Sequence, residues 1–168
     1  MTLYLVRHAI AVARTYPPLM PDAERTLTDV GIEKMVLHAR ALVRLGEQIE
    51  VILTSPYARA RQTAEILAEP FEPRPLITIE SGLTPGCDGL SMLRSIIGRY
   101  ANCGVALVGH EPDMSEMAAA LISNAADAKL EFKKGAVCRI DLRGESDPLE
   151  GRLRWLLAPK QLRLIARG

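Results

Sequence analysis

Met1-Thr2-Leu3-Tyr4-Leu5-Val6-Arg7-His8-Ala9 decides how the rest of the chain is read. Leu3 to Val6 is an apolar run of strand-forming residues that stops at Arg7-His8. A buried strand ending in a cation and an imidazole places both at a sheet edge, where α/β proteins bind ligands. The pair points to an anion site; the plainer alternative is that it only marks where the strand meets solvent. A second strand of the same kind breaks the tie. Gly104 to Val108 is strongly apolar and ends in Gly109-His110-Glu111-Pro112, after which Met114, Met117, Ala118 and Leu121 mark a helix. Two histidines at equivalent ends of two strand–helix units are harder to dismiss than one.

The segments between these strands complete the pattern. Ala9 to Arg25 loses periodicity, contains Pro17, Pro18 and Pro21, and reads as a long loop carrying Arg14, Asp22, Glu24 and Arg25. Thr28 reads as a helix N-cap with Asp29 in the first turn. Ile32, Met35, Val36, Ala39, Leu42 and Val43 form the apolar face of that helix, Gly46 fits its stop, and His38 lies off the stripe as a solvated histidine. Val51 to Thr54 is a strand that runs into Ser55-Pro56, read as an N-cap with proline at the first helical position. The helix runs to about Glu69 and carries Arg59 and Arg61 near its N-terminus, where the macrodipole disfavours a cation by about 0.3–1 kcal/mol. An anion bound nearby would offset that cost. Arg61 is read as a surface charge with Glu65 as its partner, and Arg59, pointing back toward the strand end, as a ligand-binding group.

Leu76 to Ile79 is a third strand candidate, and Gly82 to Gly89 a glycine-rich turn before a helix marked by Leu90, Leu93, Ile96, Ile97 and Tyr100. Near the end, Cys138, Ile140 and Leu142 alternate with polar residues, as do Leu153, Trp155 and Leu157 beyond a Gly144–Gly151 loop. Period two there predicts an antiparallel edge hairpin, and Pro159 opens a last short helix. The whole is an α/β three-layer sandwich with a mostly parallel central sheet and an antiparallel C-terminal edge hairpin.

Composition narrows the function. A chain of 168 residues, 48% hydrophobic and 24% charged, fits one soluble domain, residues 1–168. A net charge of +1 gives no reason to expect nucleic acid or a membrane as partner. Cys87, Cys103 and Cys138 are odd in number and scattered, with neither a disulfide framework nor metal-ligand spacing. Arg7 interrupts the apolar N-terminal stretch, so no signal peptide is expected, and no apolar run approaches the roughly 18 residues of a membrane span. A reduced, cytoplasmic setting is the expectation. Nothing in the sequence fixes the oligomeric state.

Arg7, Arg59, His8 and His110 at one sheet edge suit a dianionic tetrahedral group. Arginine offers permanently charged donor forks that match phosphate oxygens. A phosphate held by two arginines can be attacked by a neutral imidazole, giving a phosphohistidine that water then hydrolyses, with no metal or other cofactor.

Leu5-Val6-Arg7-His8-Ala9, Leu27-Thr28-Asp29-Val30-Gly31, Thr54-Ser55-Pro56-Tyr57-Ala58-Arg59-Ala60-Arg61-Gln62-Thr63 and Val108-Gly109-His110 together resemble the histidine phosphatase superfamily, whose fold is phosphoglycerate mutase-like. The short length and Leu83-Thr84-Pro85 are similar to its SixA-type phosphohistidine phosphatases. The resemblance implies His8 as the phosphate-accepting nucleophile, with Arg7, Arg59 and His110 lining the phosphate pocket. It places Arg25 near the site with no fixed role. The family's Arg-His-Gly reads Arg7-His8-Ala9 here, a change expected to be tolerated unless the position needs a positive φ.

No residue stands out as the carboxylic acid with which larger relatives protonate an ester's leaving oxygen. Of Asp22, Glu24, Glu80, Asp88 and Glu111, only Asp22 and Asp88 lie in loops expected to cover the site, and the others are read as solvated carboxylates. A phosphoramidate needs less help from an acid, because its leaving nitrogen takes up a proton itself. The expected function is therefore dephosphorylation of phosphohistidine on a signalling or phosphotransfer protein, such as a histidine phosphotransfer domain. The alternatives are a small-molecule phosphomonoesterase of the same superfamily and a non-catalytic phosphoprotein-binding module.

Overall fold

The computed structural model describes residues 1–14, 20–123, 128–143 and 149–168. Pro17, Pro18 and residues 144–148 of the hairpin loop lie outside them. Strands β1 (Thr2–Arg7), β2 (Val51–Thr54), β3 (Leu76–Ile79), β4 (Gly104–Gly109), β5 (Val137–Arg143) and β6 (Glu150–Leu157) form one sheet in the order β3-β2-β4-β1-β5-β6. The first four are parallel, and β5 and β6 run antiparallel at one edge.

Alternation along the central strands builds two cores. Leu3 and Leu5 face helices α3 (Gly89–Ile96) and α4 (Asp113–Ser123), whereas Tyr4 and Val6 face α1 (Asp29–Arg44), α2 (Ala58–Ala68) and α5 (Pro159–Arg167). All six residues of β4 are buried, as expected for a strand with neighbours on both sides and helices on both faces. Each fully buried Val or Leu side chain stabilises the fold by about 1.5–3 kcal/mol.

Register sets the site. Arg7 lies opposite Gly109, and Thr54 opposite Val108, so β1, β2 and β4 end at one level and bring His8, Ser55 and His110 side by side. Two close approaches fix the chain around His8. Gly31 sits so near the Ile10 carbonyl that a Cβ would come within 2.1 Å of its oxygen. Thr28 caps α1 by accepting from the Gly31 N–H at 3.1 Å, and its own N–H donates to Ile10 at 3.0 Å. On the other side Gly135, with φ of 81°, turns its N–H onto the carbonyls of Arg7 and His8 at 3.1 and 3.2 Å.

Several sequence expectations are corrected. The buried stripe of α1 contains Gly31, Met35, His38, Ala39 and Leu42, while Ile32 and Val43 are exposed. His38 is 1% exposed rather than solvated, because the Gly135 turn and α5 close over its face of the helix. Helix α2 starts at Ala58 with Tyr57 as N-cap, so Ser55 does not cap it; the Ser55 hydroxyl serves His110 instead. Glu65 pairs with Arg74 at 2.6 Å rather than with Arg61. In the hairpin the register shifts between Arg139 and Ile140, leaving Arg154 unopposed and Leu153 38% exposed. The loop before α1 holds a short 3-10 turn, Asp22–Glu24. No helix among the described residues is long and apolar enough to cross a membrane.

Candidate active site

His8 follows the last residue of β1 and is 7% exposed. Its Nδ1 lies 2.7 Å from the Ala9 carbonyl, which can only accept, so Nδ1 carries the proton. The Nε2 lone pair is left facing the Arg59 Nε–H at 3.2 Å. Burial drives the imidazole pKa down to about 3, the Ala9 carbonyl opposing and His110, Arg59 and Arg7 adding to the fall. His8 is thus neutral and presents an unprotonated nitrogen to a pocket of arginines.

Arg59 lies in the first turn of α2, is 2% exposed and spends its donors inward. Its Nη2 reaches His110 Nδ1 at 3.3 Å and Asp22 Oδ2 at 3.1 Å, and Nη1 donates to the Asp22 carbonyl at 2.7 Å. Because guanidinium only donates, His110 Nδ1 accepts, and its Nε2–H donates to Ser55 Oγ at 2.8 Å. Burial and the Arg59 charge bring the His110 pKa down to about 4. The rings of His8 and His110 are 5.1 Å apart, and Tyr57 stands with its ring edge-on to His110 and 4.8 Å from the Arg59 guanidinium.

Arg7 approaches from β1. Its Nη1 donates to the Phe132 carbonyl, and its Nε is buried without a hydrogen-bond partner among the described residues. Ala9 is buried, and its N–H donates to Thr63 Oγ1 at 3.1 Å, while that hydroxyl donates to the Arg59 carbonyl at 2.7 Å. One hydroxyl therefore ties the residue after His8 to the helix that carries Arg59.

Three carboxylates weighed as the site's acid differ in their surroundings. Asp22 meets Arg25 Nε at 2.8 Å, Arg14 Nε at 3.2 Å and Arg59 Nη2 at 3.1 Å. Partial burial opposes its ionisation, but the Arg25 hydrogen bond and the charges of Arg59 and Arg25 prevail and hold it below the usual carboxylate range. Arg25 itself donates to the Val12 carbonyl at 2.6 Å and joins the site through Asp22. Asp88 is exposed and caps α3, both its oxygens engaged by Ser91 at 3.0 and 2.6 Å, so the expectation that it covers the site is corrected. Glu111, expected to be solvated, is half-buried, and its Oε1 is buried with no hydrogen-bond partner among the described residues. Among the described residues no group of three His, Cys, Asp or Glu side chains is placed to hold a metal ion.

The structure therefore brings His8, His110, Arg7, Arg59, Asp22 and Arg25 together and leaves Asp88 out. Sequence reading missed Ser55, Tyr57 and Thr63. Ser55 carried a signal, as a polar residue closing an apolar strand level with His110, but its neighbour Pro56 made a helix cap the more obvious reading.

Comparison with known proteins identifies the family. The sequence of residues 3–84 matches the histidine phosphatase superfamily (branch 1). A protein of Picosynechococcus sp. described as uncharacterized is 38% identical over 140 residues, 82% of each chain. The structure of the protein histidine phosphatase SixA complexed with tungstate superposes with a TM-score of 0.82 at 24% identity, covering 96% of this chain and 99% of that one. A putative phosphohistidine phosphatase SixA from Agrobacterium tumefaciens gives 0.76 at 26% identity, covering 94% and 98%. The chain belongs to the histidine phosphatase superfamily, and its fold is close to that of the SixA structures.

Proposed function

We propose that this chain hydrolyses phosphohistidine carried on a signalling or phosphotransfer protein, through a covalent phosphohistidine at His8 and without a metal ion. The observation that carries this reading is the state of His8: neutral, its Nδ1–H tied to Ala9, and its Nε2 lone pair aimed into the arginine pocket. A bound phosphoryl group would take donors from Arg7 and Arg59, which supply the fixed positive charge that phosphoryl transfer requires. Nε2 then forms the bond to phosphorus as the bond to the leaving nitrogen breaks, and the electron pair goes to that nitrogen. Water attacks the phosphohistidine in a second step, releasing inorganic phosphate and restoring neutral His8. His110 holds Arg59 in place, and the arriving dianion raises its proton affinity, so that it can become a donor to the phosphate.

Likeness to the SixA structures supports a protein substrate. A phosphate monoester is the second reading, favoured by the half-buried carboxyl of Glu111 beside Arg7. The test is phosphate release, without added metal, from a phosphohistidine-carrying phosphotransfer domain and from an aryl phosphate, for wild type and His8→Ala. The reading expects His8-dependent release that is faster from phosphohistidine. Aryl phosphate turnover without phosphohistidine turnover would move the chain to the esterases, and inactivity on both would leave a binding module.

A further inference from the structure

Glu111 follows His110 at the end of β4 and lines a cavity of about 420 Å³ that it shares with Arg7, Lys129, Phe132 and Lys133. Two buried polar atoms of these residues lack a hydrogen-bond partner among the described residues: Arg7 Nε and Glu111 Oε1. Leaving such groups unpaired is costly, so their occurrence together in one cavity, with Arg7 also acting on His8, calls for an explanation. Their chemistry is complementary to a phosphorylated ligand. The guanidinium donor suits a phosphate oxygen, and the carboxyl suits the atom to which phosphorus is bonded.

The other oxygen gives a proton count. Ser115 Oγ lies 2.9 Å from Glu111 Oε2 and 2.8 Å from the Pro112 carbonyl. The hydroxyl has one proton, and the carbonyl can only accept. With the Ser115 proton on Pro112, the contact to Oε2 is a hydrogen bond only when the carboxyl is protonated. With the carboxyl ionised, the hydroxyl can turn its proton onto Oε2 instead. Ser115 therefore fits both states of Glu111. Burial raises the Glu111 pKa, against the opposing Ser115 hydrogen bond and Arg7 charge. Asp22 is held ionised by its arginines and Asp88 is spent on capping α3, so neither has a proton to give.

Building on the phosphatase reading above, we propose that Glu111 is the general acid of this site, its carboxyl giving a proton to the leaving atom as His8 Nε2 takes the phosphoryl group. The bond between phosphorus and the leaving atom breaks toward that atom, which collects the carboxyl proton and departs neutral. Glu111 remains as a carboxylate beside Arg7 and takes a proton from the water that cleaves the phosphohistidine. Each turnover returns the carboxyl to its starting state. With this acid the site takes oxygen leaving groups, phosphate monoesters, as well as phosphoramidates.

The test compares wild type, Glu111→Gln and Glu111→Asp on aryl phosphates of decreasing leaving-group acidity, ending with an alkyl phosphate. The expected loss of kcat/KM in Glu111→Gln grows along the series, from several-fold on 4-nitrophenyl phosphate to about 10²–10⁴-fold on the poorest leaving group. Glu111→Asp should recover part of that loss. The high-pH fall of the wild-type profile on the poorest substrate should be missing in Glu111→Gln. Losses of one size across the series, or no loss, would overturn the assignment. Failure of the underlying reading looks different: wild type itself would show no His8-dependent release from any substrate.

Discussion

At the N-terminal edge of the sheet, Glu47 accepts two hydrogen bonds from Arg139 Nη1, at 2.9 and 3.1 Å, and one from the Tyr4 hydroxyl at 2.6 Å. Asp141 stands 3.5 Å from Arg139 Nε. At the C-terminal edge, Arg14, Arg25 and Arg59 gather around the carboxylate of Asp22, with Arg7 and two neutral histidines in the same site. Similar side chains end in opposite arrangements. Cation meets anion at the lower edge, which suits a structural network. At the upper edge cations exceed anions: the His8 Nε2 lone pair faces the Arg59 guanidinium, and Arg7 Nε has no hydrogen-bond partner among the described residues. An imbalance of this kind marks a site more sharply than the number of charges does.

Breaking each edge in turn should have crossed effects. Arg59→Ala is expected to weaken vanadate binding by about 10–100-fold, since a hydrogen bond to a charged group contributes about 1.5–3 kcal/mol. Glu47→Gln is expected to destabilise the fold by about 1–3 kcal/mol, because it leaves Arg139 without its carboxylate, while vanadate affinity stays within about twofold. Calorimetric titration with vanadate and urea unfolding read the two quantities. If Arg59→Ala spares vanadate binding, or Glu47→Gln weakens it as much, the division between the edges fails.

A smaller effect concerns pH. His38 is brought down to about 4, first by burial and then by the charge of Arg163. Unfolded, it titrates near 6.5. Between those values the unfolded chain binds a proton that the folded chain refuses, so stability is full above about pH 6.5 and falls as pH drops toward 4, by at most about 1.4 kcal/mol per pH unit for this group. His8 and His110 act in the same direction. Urea unfolding at pH 7, 6 and 5 should show a shallower decline in His38→Phe than in wild type. Equal slopes would show that His38 titrates normally in the fold.

The sequence carries much of this arrangement, for a reason tied to particular residues. Leu3–Val6 and Gly104–Val108 are apolar runs that stop at a charged or imidazole side chain, and in a parallel sheet that break marks the ligand edge whatever surrounds it. Arg59 was legible because a cation in the first turn of a helix needs a reason. What escaped depends on how distant segments pack. His38 looks solvated until α5 and the Gly135 turn are in place. Asp22 and Asp88 are both loop aspartates in the sequence, and only the fold sets one against three arginines and the other on a helix end. Glu111 looks like surface charge because nothing local reveals that one of its oxygens is buried.

Trapping the phosphoenzyme tests whether His8 Nε2 is the nucleophile. Wild-type protein quenched during turnover of a phosphoryl donor should carry one phosphate, stable to alkali and labile to acid, mapped by mass spectrometry to His8 and absent from His8→Ala. Phosphate on another residue, or release of phosphate at full rate by His8→Ala, would contradict it.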